Sequence, residues 1–273
     1  MLLRQLFNHP TFGYTYVLAD PDTEEAALID PVQGKMKDYV QMFNELGLVL
    51  TAAIDTQTHD DHASALPQLR ALWHCETIAG QEHPSDDISR RVSDGDKIEI
   101  GNMALHVLHT PGHTDDSYSY LIERPGRSAV FTGDTLLVRT VGLSNQPTSN
   151  PRLHYDSLHN ILAELEEDTI VYPGRDFKGW PLSTIREEKA FNPYMLAESM
   201  DEFLKLKTKQ QPADITPVLV EEEDAGLPSN VPGQPPGTAA PAGDFYLPDE
   251  NERGLRAVDA TSDDDTKPIS SWR

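Results

Sequence analysis

The chain has 273 residues, with 45 acidic against 22 basic side chains, a formal net charge of −23 and a pI near 4.6. This charge argues against nucleic acid or an anionic membrane surface as partner, because no basic stripe is present to neutralise phosphates; the length allows a sizeable buried core and an enzyme. The opening MLLRQLFNHPTFGYTYVLAD holds charge and polarity within its first ten residues and no run long enough for a signal h-region or a membrane span, which points to the cytoplasm.

In chain order, YTYVLA and EAALID are strands of a hairpin closed by the polar gap DPDTE. KMKDYVQMFNELGL has helical spacing and stops at Gly47, and LTAAID is a buried strand that runs into DTQTHDDHASA. HASALPQLRALWH is helical, and the strand ETIAG follows. The lone Cys75 between them rules out an internal disulfide and reads as a packed bystander. VSDGDKIEIGNMALHVLHTPGH combines an Asp-Gly turn signal with alternating apolar residues, a second hairpin. SYSYLIE and SAVFTGD are strands, LHYDSLHNILAEL is a helix and TIVYPG is the last strand. Strands and helices in this order predict an α/β protein with helices packed outside sheets. Residues 1–210 are expected to form one domain. Residues 211–273, with PSNVPGQPPGTAAPAG, EEED and DDD, read as a disordered acidic tail that could contact a protein.

The loop Asp55 to Ala65 is dense in carboxylates and imidazoles. Positions 57 and 59 of an extended segment face one side, while Asp61 and His62 come round at the turn into the next helix. Imidazole nitrogen and carboxylate oxygen suit zinc, iron or manganese. Further ligands are expected at the ends of later strands, where His113 follows a Pro-Gly turn and Asp134 closes SAVFTGD. His106 and His109 are assigned to one strand face, His154 and His159 to a helix surface, and Tyr118 and Tyr120 to the core.

LRQLF, TYVLAD, AALIDPV, DTQTHDDH, HTPGHT, FTGDTLL and IVYPGRDFKGWPLSTIREEKAFNP together resemble the metallo-β-lactamase fold, and within it the persulfide dioxygenase branch beside glyoxalase II. The resemblance covers residues 1–206. It implies a four-layer αββα sandwich with the metal site at one edge of its two sheets, and a mononuclear iron that oxidises glutathione persulfide with dioxygen. The candidate metal ligands are His59, His62, His113 and Asp134, with Asp61 as the candidate catalytic carboxylate. The resemblance implies ligands at position 57, His113 and Asp134; with Gln57 at the first, His59 is expected to stand in, so that His59, His113 and Asp134 still make a two-histidine, one-carboxylate set, while Asp61 and His62 orient it or ligate weakly. One divalent metal is expected, Fe(II) before zinc, with a small thiol or persulfide as substrate; a homodimer is left open.

Three departures bear on that reading. Gln57 stands where the family has the first histidine of its loop, and an amide oxygen is a poor donor to Fe(II). Arg175 stands where a histidine holds a second metal; a guanidinium cannot ligate, and it either sits beside Asp61 and Asp134 or points to solvent. Gly142, Leu143, Ser144 and Asn145 stand where dioxygenases of the family tend to carry Gly-Arg-Thr-Asp, so an arginine and a carboxylate are lost from a loop that borders the site, and with them glutathione recognition if that arginine positions the substrate. The alternatives are a pseudoenzyme that survives as a binding module and, further off, a thioester hydrolase.

Overall fold

The structure, a computed structural model, describes residues 1–124 and 126–210; the expectation of a disordered acidic tail at 211–273 lies outside the described residues. Among the described residues, two six-stranded sheets face each other. The first runs in sequence order: β1 (Leu2–Asn8), β2 (Gly13–Ala19), β3 (Glu25–Ile29), β4 (Val49–Ile54), β5 (Glu76–Gly80) and β6 (Arg90–Val92). The second holds β7 (Lys97–Ile100), β8 (Met103–His109), β9 (Tyr118–Ile122), β10 (Ala129–Gly133), β11 (Ile170–Pro173) and β12 (Ser183–Thr184), again in order across the sheet.

Apolar side chains on both faces of the central strands divide the interior into three cores, as a four-layer sandwich requires. Between the sheets, Tyr16, Ile54, Ile78, Val107, Tyr120 and Phe131 meet. On the outer face of the first sheet, α1 (Met36–Leu46) and α2 (Leu66–Trp73) bury Tyr39, Phe43, Leu66 and Leu69 against Val17, Leu28 and Ala53. On the outer face of the second, α3 (Pro151–Asp156), α4 (Ile185–Phe191) and α5 (Met200–Lys209) enclose Val130, Leu136, Val171, Leu158, Ile185 and Phe203. The fold is the αββα sandwich that the sequence implied. Among the described residues no helix is long and apolar enough to cross a membrane.

Local chemistry sets the element ends. Gly47 terminates α1 in the left-handed region at φ 65°, where an L side chain is disfavoured. Asn150, Thr184 and Ser199 cap α3, α4 and α5 by accepting hydrogen bonds from otherwise orphaned amides.

Three expectations change. The β7–β8 hairpin pairs Ile100 with Met103, so the chain reverses at Gly101 and Asn102 rather than at Asp94-Gly95. His106 and His109 are three residues apart and therefore face opposite ways: His106 lies 3.3 Å from Glu123, whereas His109 stacks on Tyr118. His154 is fully buried, with its Nε2–H donating to the Thr135 carbonyl at 2.7 Å. The helix that carries it passes into a π-helical stretch at Ser157–Ile161, and Ser157 donates to the Pro111 carbonyl at 2.7 Å.

Candidate metal centre

The site forms where strands of both sheets end. β3, β4 and β5 are mutually parallel, as are β10 and β11, so their carboxyl ends open on one edge of the sandwich. Asp30 follows β3, Asp55 follows β4, Asp134 follows β10, and Arg175 lies just beyond β11. The sheets are tied together here: the Tyr118 amide donates to the Thr56 carbonyl at 2.8 Å and the Tyr120 hydroxyl to the Asp55 carbonyl at 3.0 Å. Asp30 accepts from the Thr56 amide at 2.7 Å and from its hydroxyl at 2.9 Å, and holds a positive φ of 51°. A non-glycine residue held in that region is strained backbone, of the kind that clusters at functional sites.

Three imidazoles are each anchored through one nitrogen. His59 Nε2–H points at Asp30 Oδ1 at 3.4 Å, His62 Nδ1–H donates to Asp61 Oδ1 at 3.0 Å, and His113 Nδ1–H donates to the Leu143 carbonyl at 2.7 Å. The opposite nitrogens, His59 Nδ1 and His62 Nε2, are buried with no hydrogen-bond partner. His113 Nε2 faces Asp134 Oδ2 at 3.6 Å. An acceptor behind one ring nitrogen fixes the tautomer that exposes the other, which is how proteins orient metal-ligating histidines. Burial holds His113 below the ordinary imidazole range despite the nearby Asp134, so the ring is neutral and its Nε2 lone pair is exposed. For His59, burial pulls the other way but Asp30 and Asp55 outweigh it and push the imidazole up to about 9. The carboxylates around it favour positive charge, and an ion on Nδ1 would take the place of a proton.

The other side of the site is closed by Arg175. Its Nε donates to Asp134 Oδ2 at 2.7 Å, Nη2 to Asp61 Oδ1 at 2.9 Å, Nη1 to Asp61 Oδ2, and Nη1 also to the Thr11 carbonyl at 3.2 Å. Burial would raise Asp61, but the hydrogen bonds from His62 and Arg175 hold its carboxyl far below the usual range; Asp134 is lowered against its burial chiefly by the same guanidinium. Of the two orientations open to Arg175 in the sequence, the structure takes the inward one. Gln57 is buried too, and its Oε1 accepts the Asp134 amide at 3.2 Å, so it braces the carboxylate's backbone.

Of the residues expected to act together, His59, Asp61 and His62 offer ligand atoms within 4.8 Å of one another, and so do Asp30, Asp55 and His59. His113 and Asp134 pair with each other. Among the described residues, His59, His113 and Asp134 do not form such a three-way group. Asp30 and Asp55 were absent from the sequence-based set, although both end a buried strand (ALID, AAID) in the manner that marked Asp134 (FTGD). Leu143 matters through its carbonyl rather than its side chain. The bare imidazole nitrogens fit one divalent ion, whereas the position between Asp61 and Asp134 already holds a cation.

Two sheets with the site at their common edge, a His-rich loop after β4 and an aspartate after β10 define a class. Residues 9–175 match the metallo-beta-lactamase superfamily, and the chain belongs to it. It is 34% identical over 207 residues to the mitochondrial persulfide dioxygenase ETHE1 of Homo sapiens, spanning 76% of this chain and 80% of that protein. The crystal structure of ETHE1 from Myxococcus xanthus matches with a TM-score of 0.73 at 40% identity, covering 78% of this chain and 92% of that one. A metallo-beta-lactamase from Staphylococcus aureus matches with a TM-score of 0.70 at 25% identity, covering 78% and 68%. Family membership and the His59, Asp61, His62 cluster support a divalent-metal site in this chain.

Proposed function

We propose that this chain is a persulfide dioxygenase-like protein with a one-ion centre, its domain spanning residues 1–210. The observation that carries the reading is the division of the site. Arg175 pairs with Asp61 and Asp134 where a second ion would sit, while His59 Nδ1 and His62 Nε2 have no hydrogen-bond partner and His113 Nε2 faces Asp134. A binuclear hydrolase needs both ions to generate and aim its hydroxide, so a thioester hydrolase is disfavoured. His59, His113 and Asp134, which lie outside common ligand reach in this structure, would have to draw together to hold the ion, with His62 beside them and Asp61 kept ionised by Arg175. Two histidines and one carboxylate favour Fe(II) over zinc, and a bound iron would supply the redox chemistry that lets dioxygen react with a persulfide sulfur.

One observation favours a second reading, a catalytically silent binding module: the Gln57 amide is turned onto the Asp134 backbone rather than presented as a donor. Metal analysis of full-length protein purified without chelator, followed by oxygen-electrode assays with glutathione persulfide, separates the two. The one-ion enzyme contains close to one equivalent of iron after reconstitution and consumes oxygen. A protein that stays bare after soaking in ferrous and zinc salts supports the silent module instead.

A further inference from the structure

The last turn of α5 reaches back to the wall of the site through two side chains. Lys207 Nζ donates to the Gly142 carbonyl, and Gln210 Nε2 donates to the Val141 carbonyl at 2.6 Å. Lys207 is only 8% exposed, and among the described residues no carboxylate forms an ion pair with it. Its ammonium lies 5.8 Å from the centre of the Tyr194 ring. Burying an ammonium without an anion is unfavourable, and an apolar side chain of the same length would fill this space without that penalty.

The segment held by these two residues sets the position of His113. The Gly142 amide donates to the Asp134 carbonyl at 2.7 Å, and the next carbonyl, that of Leu143, accepts His113 Nδ1–H at 2.7 Å. The backbone also lies directly against the ring: a Cβ on Gly142 would fall 2.6 Å from His113 Nδ1. Any shift of 141–143 therefore moves the acceptor that chooses the His113 tautomer and disturbs the Asp134 backbone together.

We propose that Lys207, assisted by Gln210, is a positioning residue for His113: it clamps the 141–143 segment so that the Leu143 carbonyl holds Nδ1–H and the bare Nε2 stays aimed at Asp134. The proposal rests on the one-ion reading only where ion affinity is measured. The test uses full-length, metal-free, ¹⁵N-labelled protein and follows the His113 ring Nδ1–H by NMR, together with titration by cobalt(II) as the probe ion. In Lys207→Met the ring proton signal broadens by exchange and cobalt affinity falls about tenfold, the lower end of what loss of an orienting contact does to metal sites. Gln210→Ala changes both in the same direction by less, and decides the matter if Lys207→Met does not fold. A ring signal and a cobalt affinity both unchanged in Lys207→Met overturn the proposal. Should the parent protein bind no cobalt, the one-ion reading fails on its own, and the ring signal alone decides whether Lys207 positions His113.

Discussion

The two halves of the site solve the same electrostatic problem differently. On one side Asp61 and Asp134 are buried carboxylates whose charge is met by a guanidinium of the same chain. On the other, Asp30 and Asp55 lie beneath His59, whose Nδ1 has no partner and whose imidazole is pushed up to about 9. Buried carboxylates need a counter-charge. Where the chain supplies it, an ion must displace a rigid, multiply bonded cation; where the chain supplies only imidazole, an ion has merely to displace a proton. The comparison predicts a single ion, bound at the imidazoles, and none in the place of the guanidinium between Asp61 and Asp134.

The strongest way to break that contrast is to remove the internal cation. Arg175→Met leaves two buried carboxylates uncompensated, and the metal-free protein should lose about 3–5 kcal/mol of unfolding free energy in urea titrations, the usual result of breaking a buried ion pair from one side. A loss below about 1 kcal/mol would mean that water, not Arg175, satisfies Asp61 and Asp134. Arg175→His sharpens the contrast from the other direction. It restores a ligand where the guanidinium stood, so zinc stoichiometry should rise from one to two equivalents by elemental analysis, and added zinc should recover most of the stability lost in the metal-free form.

Gln57→His tests the histidine half. The amide now braces the Asp134 backbone at 3.2 Å and contributes no imidazole. Replacing it should tighten ferrous or cobalt binding about 10–100-fold, read by competition with a chromogenic chelator. Unchanged affinity would show that position 57 does not face the ion and that the reach of the site lies with His59 and His62.

How much of this was legible beforehand differs by kind of residue. The strand cores could be read because YTYVLA, LTAAID and SAVFTGD are dominated by apolar residues, as strands with both faces covered need to be. His59, Asp61, His62, His113 and Asp134 were legible because ligand chemistry at strand ends leaves a local signature. Asp30 and Asp55 carried that signature too, but without a histidine beside Asp30 it reads as a turn residue. The hairpin turn was misplaced because Asp94-Gly95 and Gly101-Asn102 are both sound turn sequences, and Gly95 and Gly101 both take positive φ. The choice between them is made by Ile98 and Ile100, which must reach the core between the sheets. Neither His154 nor Lys207 could be placed from local pattern. Each lies on a helix where its neighbours suggest a polar face, and each is buried because a distant carbonyl, Thr135 or Gly142, accepts its proton.

Lys207 supplies the most selective test, because its effect depends on pH. Burial alone lowers its ammonium to about 7, against 10.5 for an ordinary lysine. The titratable neighbours His154 and His113 are themselves shifted down, and Tyr194 is shifted up, so Lys207 is the member of this group that changes charge between those limits. With the folded pKa below the unfolded one, the unfolded chain binds more protons across this window, and stability rises with pH. Lys207 should therefore add up to about 1.4 kcal/mol of unfolding free energy for each pH unit from about 7 towards 10. Below pH 7 both states carry the charge and the contribution is flat. Comparing urea titrations of the parent and Lys207→Met at pH 7, 8 and 9 reads it above the range of His154 and His113, which Lys207 itself helps to hold down. The gap in favour of Lys207→Met should be widest at pH 7 and narrow as pH rises; a gap that does not change with pH would mean that the ammonium is solvated and that its grip on Gly142 does not require burial of charge.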